Sequence, residues 1–423
     1  MVCQNYRGIS LLNTCYKVVS YIILNRIKPY TKEIIGEYQS GFMPGKSTVD
    51  QIHTIKQIVE KNHEFDIDVH LLFVDFKQAY DSVNRCRLWK AMTQLGISTK
   101  LVRLIKACAQ KSKCKVKFNG ELSEDFSVET GLRQGDALSL TLFNIALESV
   151  MREVLDDGTG LRIGEGHQIK LAAYTDDIII IGETGEDLKR LAEKLISKGK
   201  EIGLQVNEEK TKYLIVSRRE QVQNALVVGG FTFERVSNFK YLGVDVNQQA
   251  NSHEEIKRRK TAGNKSYFAL VPVFKSRLIS KNTKIRQYKV LIRPIVLYAC
   301  GAWATTKSDE KRLLLFERRI LRRIYGPKRN EENVYKRRTN AELRKIFKEP
   351  NIVGYLKSRR ISWAGHVWRA EGQTVHDVTI PRQRWTDRVK EDLKLLDIRE
   401  GEQLVKNREL WRGVVEAVTD LQG

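Results

Sequence analysis

Two adjacent carboxylates, Asp176 and Asp177, stand in Leu171-Ala-Ala-Tyr-Thr-Asp-Asp-Ile-Ile-Ile-Ile-Gly182 with apolar residues on both sides. Neighbouring anions repel, so a fold that sets them beside a core needs positive charge there, and a divalent cation supplies it. A third carboxylate, Asp75, closes the apolar run Val69-His-Leu-Leu-Phe-Val-Asp-Phe76. An aspartate where a buried strand ends is placed to face a cleft, although it could equally cap the next helix. The pair alone could likewise be a solvated turn. Three carboxylates converging on one sheet edge suit two-metal phosphoryl transfer, in which cations about 4 Å apart hold the attacking and leaving oxygens.

The elements around them must do the positioning. Short β-branched runs flanking Asp176 and Asp177 predict a buried hairpin with the pair at its turn. Upstream, Val18, Val19, Ile22, Ile23, Arg26 and Ile27 follow helical spacing, which Pro29 closes. Gln39–Thr48 is a glycine-punctuated loop entering a helix near Thr48, without the spacing of a phosphate-binding loop. Residues 97–110 read as an amphipathic helix with Leu101, Leu104, Ile105 and Cys108 on one face. Lys111, Lys113, Lys115 and Lys117 then alternate, giving a strand with one basic face or a solvated edge strand. Gly131–Ser139 is a turn opening into a helix over Leu142–Leu155. Leu188, Leu191, Ala192, Leu195 and Ile196 mark another helix, with short strands after it through Asp245. Residues 70–245 therefore alternate strands and helices in an α+β sheet domain. Beyond 250 the pattern is helical. Leu313, Phe316, Ile320 and Ile324 share a face flanked by Arg318, Arg319, Arg322 and Arg323. Helical segments continue around Trp363 and Trp368, with Pro381-Arg-Gln-Arg-Trp385 as a linker.

The 423 residues are 41% hydrophobic and 30% charged, a soluble globular profile of two or three domains. A net charge of +23 predicts a polyanionic partner, nucleic acid before membrane surface. Of 74 Lys+Arg and 51 Asp+Glu, residues 251–423 hold 40 and 20, a net +20. That leaves 34 and 31, a net +3, to residues 1–250. Six cysteines without a CxxC pair argue for a reducing compartment and against a zinc module or disulfide framework. His366 and His376 have no cysteine near them. No apolar run reaches membrane-spanning length and no secretory leader pattern is present, which predicts an intracellular protein, nuclear or cytoplasmic, without a membrane partner.

Residues 5–245 resemble the reverse transcriptase domain of non-long-terminal-repeat (LINE-like) retrotransposons. Seven pieces occur in that family's order. They are Asn5-Tyr-Arg-Gly-Ile-Ser-Leu-Leu12, Tyr38-Gln-Ser-Gly-Phe-Met-Pro-Gly-Lys-Ser-Thr48, Phe73-Val-Asp-Phe-Lys-Gln-Ala-Tyr-Asp-Ser-Val83, Gly131-Leu-Arg-Gln-Gly-Asp-Ala-Leu-Ser139, Tyr174-Thr-Asp-Asp177, Gly203-Leu-Gln-Val-Asn207 with Lys210, and Phe239-Lys-Tyr-Leu-Gly243. Arg359–Arg369 and Pro381–Leu393 also resemble the region downstream of the polymerase in some of these elements.

The resemblance implies an α+β right-hand polymerase with a mixed or antiparallel palm sheet. Fingers would take residues 1–69 and 87–130, palm 70–86 and 131–247, a helical thumb 248–330, and a basic helical region 331–423. It implies an RNA-directed DNA polymerase acting on an RNA template, a DNA primer and a deoxynucleoside triphosphate. Asp75 and Asp176 would hold two Mg2+ (or Mn2+), with Asp177 beside them and the Phe76 carbonyl as a further ligand. Lys46, Tyr80, Gln134, Gly135 and Lys210 would bind the nucleotide. Arg133, Phe239, Tyr241, Leu242 and Gly243 would contact primer and template. Tyr80, five positions after Asp75, would exclude a ribose 2′-hydroxyl. The sequence departs from the family at Thr175 (usually alanine), Gly8 (proline), Met43 (arginine) and Leu140 (proline). The chain also starts inside the fingers, without an upstream endonuclease, as a partial or degraded copy would. Alternatives are an RNA- or DNA-binding remnant and a maturase-like domain for structured intron RNA.

Overall fold

The apolar strand-length runs form one four-stranded antiparallel sheet, while the short strands between Ala225 and Asn247 pair as two separate two-stranded ladders. The computed structural model describes residues 8–110, 113–156, 160–163, 167–219, 221–329, 331, 333–379 and 384–420. Asn5–Arg7 of the first motif, Lys111 and Pro381–Gln383 of the expected linker lie outside them. The chain divides into two compact units, Met1–Gln51 with Asn62–Leu242, and Ile52–Lys61 with Gly243–Gly423.

In the first unit, β1 (Val69–Val74), β2 (Leu171–Tyr174), β3 (Asp177–Gly182) and β4 (Lys212–Val216) lie in the order β4-β1-β3-β2. Every neighbouring pair is antiparallel. Ile178 to Ile181 are all buried, so both sheet faces are covered. Leu72, Val74, Ile178 and Ile180 meet the apolar sides of α1 (Thr14–Ile34), α3 (Ala137–Leu155) and α4 (Gly185–Glu201) in one core. On the other face Phe73 stacks on Phe239, ring centroids 4.2 Å apart. A further helix, α2 (Thr48–Glu64), starts at Thr48, where the loop reading placed it.

Several boundaries differ from expectation. Pro29 sits inside α1 rather than ending it, because a proline removes only the one N–H that would have reached back to Asn25. The buried stripe of α1 is Ser20, Ile23, Leu24, Ile27 and Thr31, while Val18, Val19 and Ile22 are exposed. The helix expected from Leu142 begins at Ala137, since the Asp136 side chain caps it by accepting the Leu138 N–H at 3.1 Å. Leu101, Val102 and Ile105 of Thr99–Ala109 are buried, whereas Leu104 is exposed. Lys113–Cys114 and Lys117–Phe118 form two-residue ladders with Phe126–Ser127 and Glu121–Leu122, and their lysines are exposed.

The second unit is mostly helical. α5 (His253–Ala269) and α6 (Lys307–Tyr325) share a core with Ile352, Val353 and Leu356 at the start of α7 (Ile352–Arg369). The rest of α7 joins α8 (Arg384–Lys394) and Arg408–Asp420 in another cluster. Trp385, expected in a linker, lies in α8 and is fully buried there, its indole N–H donating to the Gly301 carbonyl at 2.6 Å. Arg360 is buried in the same region. It donates from Nε and Nη2 to Asp392 Oδ2 at 2.8 and 2.7 Å, and from Nη1 to the Trp303 carbonyl and the Thr305 hydroxyl. No helix among the described residues is long and apolar enough to cross a membrane.

Candidate active site

Strand register fixes where the carboxylates emerge. β2 and β3 form a hairpin whose last pair is Tyr174 with Asp177, leaving Thr175 and Asp176 as its two turn residues. β1 pairs with β3 as far as Val74 opposite Ile178. Asp75 is the next residue, so it leaves the sheet at the end that carries the Thr175–Asp177 turn. Asp75 and Asp176 are partly exposed and Asp177 is exposed.

Asp75 is held by its backbone. Its carbonyl accepts the Asn207 N–H at 2.8 Å and its N–H donates to Thr211 Oγ1 at 3.2 Å. It does not cap the next helical turn, Ala79–Ser82, which begins after Gln78, a residue in the left-handed region. The ladder that joins Phe76 to Val206 uses the carbonyls of Asp75 and Gln205, not that of Phe76. Lys210 Nζ, on an exposed side chain, lies 3.9 Å from Asp75 Oδ2.

Two tyrosines close the floor. The Tyr80 ring stacks on Phe143, centroids 4.5 Å apart, and packs against the core. Burial and then the Asp176 carboxylate hold its phenol well above the usual range, so its hydroxyl keeps its proton beside Asp176. Burial and then Asp177 do the same to Tyr241, which is buried 5.9 Å from the Phe73 ring. Of the residues expected at the primer, Phe239 and Tyr241 thus pack on the underside of β1. Leu242 and Gly243 make a tight turn, both at positive φ (45° and 81°).

The Gly131–Asp136 loop docks beside Tyr80. The Leu132 N–H donates to the Tyr80 carbonyl at 2.7 Å and the Gly131 N–H to the Val83 carbonyl at 2.9 Å. A side chain at Gly131 would overlap the Asp81 backbone, so glycine is required for this approach. The Gln134 carbonyl accepts the Ser10 N–H at 2.8 Å, and Gly135 is exposed. Arg133 turns inward, over the Tyr16 ring at 5.2 Å and onto the Cys108 carbonyl at 3.3 Å. Asp136 anchors the loop by accepting the hydroxyls of Tyr16 and Ser20 at 2.7 and 2.5 Å. Lys46 is engaged within its own loop, donating to the carbonyls of Glu37 and Gln39 at 2.8 and 3.3 Å and pairing with Glu37.

Gln39 escaped the sequence reading as a functional residue. Its Oε1 accepts the N–H groups of Gly41 and Thr175, both at 2.8 Å, tying the Tyr38–Thr48 loop to the turn that bears Asp176. A glutamine between a tyrosine and a serine carries no chemical signal of its own; only the motif around it was visible.

All the acidic groups here are hard oxygen donors, the type that Mg2+ and Mn2+ take. Among the described residues no three His, Cys, Asp or Glu side chains gather closely enough to hold an ion by themselves. One or two carboxylates with substrate phosphates is the arrangement that magnesium uses, and the residues fit it.

Residues 2–246 match the family model described as reverse transcriptase (RNA-dependent DNA polymerase). The chain belongs to that family, and its relatives within it are proteins of non-LTR retrotransposons. It is 29% identical over 191 residues to the transposon TX1 uncharacterized 149 kDa protein of Xenopus laevis, covering 45% of this chain and 15% of that one. It is 24% identical over 338 residues to the RNA-directed DNA polymerase from mobile element jockey of Drosophila funebris, covering 76% and 36%. The chain thus spans well under half the length of these two relatives. Among solved structures, it is similar to apo telomerase from Candida tropicalis, with 14% identity, 96% and 61% coverage and a TM-score of 0.41. The family generally uses divalent metal ions.

Proposed function

We propose that this chain is an RNA-directed DNA polymerase. A primer 3′-hydroxyl oxygen attacks the α-phosphorus of a deoxynucleoside triphosphate on an RNA template; the new P–O bond forms as the bond to pyrophosphate breaks. The observation that carries this reading is the register that brings Asp75 out at the sheet end bearing Asp176 and Asp177. Two Mg2+ (or Mn2+), when bound, would stabilise the attacking and leaving oxygens. Asp75 and Asp176 would hold them, with Asp177 and the Phe76 carbonyl as further oxygen donors.

Lys210, beside Asp75 and mostly exposed, is free to swing toward triphosphate charge. Tyr80 presents a rigid ring next to Asp176, where it would meet a ribose 2′-hydroxyl and admit a 2′-hydrogen. The turn at half-buried Gln134 and exposed Gly135 would lie along the nascent pair. Lys46 would have to leave Glu37 to reach a phosphate, and Arg133 would have to leave Tyr16 to reach the template. Leu242 and Gly243 would support the primer on a platform backed by Phe239 and Tyr241. In this reading the fingers span 1–69 and 87–130, the palm 70–86 and 131–247, and the thumb 248–330. The basic residues beyond 250 supply most of the affinity for nucleic acid.

The test is primer extension by the purified chain on a homopolymer RNA template. Extension should require Mg2+ and fall about 1,000-fold or more in Asp176→Asn, since removing a single group that stabilises transition-state charge already costs about 100- to 1,000-fold. A folded chain that binds template–primer but extends nothing would favour the binding remnant.

A further inference from the structure

The turn that carries Asp176 is gripped by a side chain 136 positions away. Thr175 has φ of 58°, in the left-handed region, where a β-branched residue is strained. Two-residue hairpin turns ordinarily place glycine or asparagine at such positions. Here bonds on both sides of the residue counter the strain. The Thr175 N–H donates to Gln39 Oε1 at 2.8 Å, and Gln39 Nε2 faces the Thr175 carbonyl at 3.5 Å. Gln39 is itself buried and fixed, through a bridge to Ala173 and through the Gly41 N–H on its Oε1. Gln51 reinforces the contact by donating to the Tyr38 carbonyl, the Ser40 hydroxyl and the Ala173 carbonyl at 2.7, 2.9 and 3.2 Å. Gly41 lies so close that a Cβ there would overlap the Thr175 backbone nitrogen and side-chain methyl. The Thr175 hydroxyl, so placed, is 2.9 Å from Asp176 Oδ1 and 2.6 Å from the Tyr174 carbonyl.

We propose that Gln39 is a positioning residue for Asp176, acting through Thr175. By engaging both the N–H and the C=O of Thr175, it holds the turn in the conformation in which the single Thr175 hydroxyl proton is shared between the Tyr174 carbonyl and Asp176 Oδ1. That contact orients a carboxylate which, in the polymerase reading on which this assignment rests, holds a divalent cation. Outer partners that orient a metal-binding side chain are worth about 10- to 100-fold in metal affinity. An alanine at position 175 would leave Asp176 without this hydroxyl, so the threonine gives this chain a contact that alanine cannot make.

Mn2+ binding by the full chain with a saturating non-hydrolysable deoxynucleoside triphosphate, read from the free-ion electron paramagnetic resonance signal against the triphosphate alone, separates orientation from mere stability. Asp176→Asn sets the baseline for loss of the site. Gln39→Ala should weaken Mn2+ binding about tenfold, Thr175→Ala should weaken it several-fold, and Thr175→Ser should stay within about twofold of the parent. Thermal melting is followed in parallel. A Gln39→Ala chain that melts lower yet binds Mn2+ as the parent does would overturn the proposal. Should Gln39→Ala fail to fold, equal affinities for Thr175→Ala and Thr175→Ser would overturn it instead. Parent binding no tighter than Asp176→Asn would remove the metal site and this role together. Parent binding without primer extension would defeat only the polymerase reading, leaving the Gln39 comparison decisive.

Discussion

The two compact units use buried polar groups for different ends. In the sheet unit, buried Gln39, Gln51 and Asn144 bind backbone and hydroxyl groups of the Tyr38–Thr48 loop, which borders the carboxylate turn. In the helical unit several buried charged groups pair with one another. Arg360 pairs with Asp392, Arg293 lies 3.7 Å from Glu317, and Glu255 pairs with Arg258 and Arg259. The sheet unit's neutral amides fix backbone without adding charge beside the carboxylate turn. Arg360–Asp392 and Arg293–Glu317 join different helices, whereas the Glu255 pairs brace α5 itself. The surfaces differ as well: the sheet unit's net charge is small, while the helical unit carries a large positive excess. In the polymerase reading proposed above, the first unit would orient the carboxylates and the second would attract the nucleic acid.

Removing a buried ion-pair partner tests this contrast most severely. Arg360→Ala leaves buried Asp392 with only the Lys357 ammonium, 3.7 Å away, and should cost about 3 kcal/mol. Hydrogen exchange should show α7 and α8 losing protection while β1 and β3 keep theirs; equal loss in both units would mean they do not hold themselves together separately. Next in size is the nucleotide gate. Tyr80→Ala should admit ribonucleotides about a hundredfold better relative to deoxynucleotides, measured by competing incorporation. Tyr80→Phe should not, because the ring and its stack on Phe143 remain. If both variants still rejected ribonucleotides, Tyr80 would be a core aromatic alone.

A smaller effect tests the basic unit. Burial, then Arg337 and Arg318, hold the Arg322 guanidinium below its usual range, the mark of cations crowded together. Replacing Arg318, Arg319 and Arg322 by glutamine should reduce the slope of log affinity against log salt by about 2, at roughly 0.7 for each single-strand phosphate that is no longer neutralised. An unchanged slope would mean that this face meets no nucleic acid. The smallest effect is on acid stability. Although burial pushes Glu255 up, Arg259, the Asp245 backbone and Arg258 outweigh it and hold its carboxyl below the usual range. A depressed carboxylate stabilises the fold above its unfolded pKa of about 4.3 and loses that contribution as pH falls through the folded value. Below that pH the helical unit should lose about 1 kcal/mol, and Glu255→Gln should abolish this part of the acid response. Glu317, pushed up by burial, acts in the opposite sense, gaining stability as pH falls.

Much of the site was legible in the sequence because its signals are local. The apolar runs set the strands, and the Asp176–Asp177 pair between two of them set a hairpin turn, which the structure places one residue earlier, at Thr175–Asp176, with Asp177 opening the strand. Asp75 closing a third run placed another carboxylate at a strand end. The order of the motifs then carried the family. Other features depended on partners distant in the chain. Periodicity finds the apolar stripes of α1 but cannot tell which one a neighbour covers, so Val18, Val19 and Ile22 read as core and are exposed. Pro381 and its polar neighbours suggested a linker, yet Trp385 is buried because Gly301, 84 residues earlier, accepts its indole N–H inside an apolar cluster. The left-handed conformation of Thr175 has no local signature, since a β-branched residue avoids it. Only the tertiary structure decides it, through the bonds that Gln39 makes to the Thr175 peptide and that no local pattern encodes.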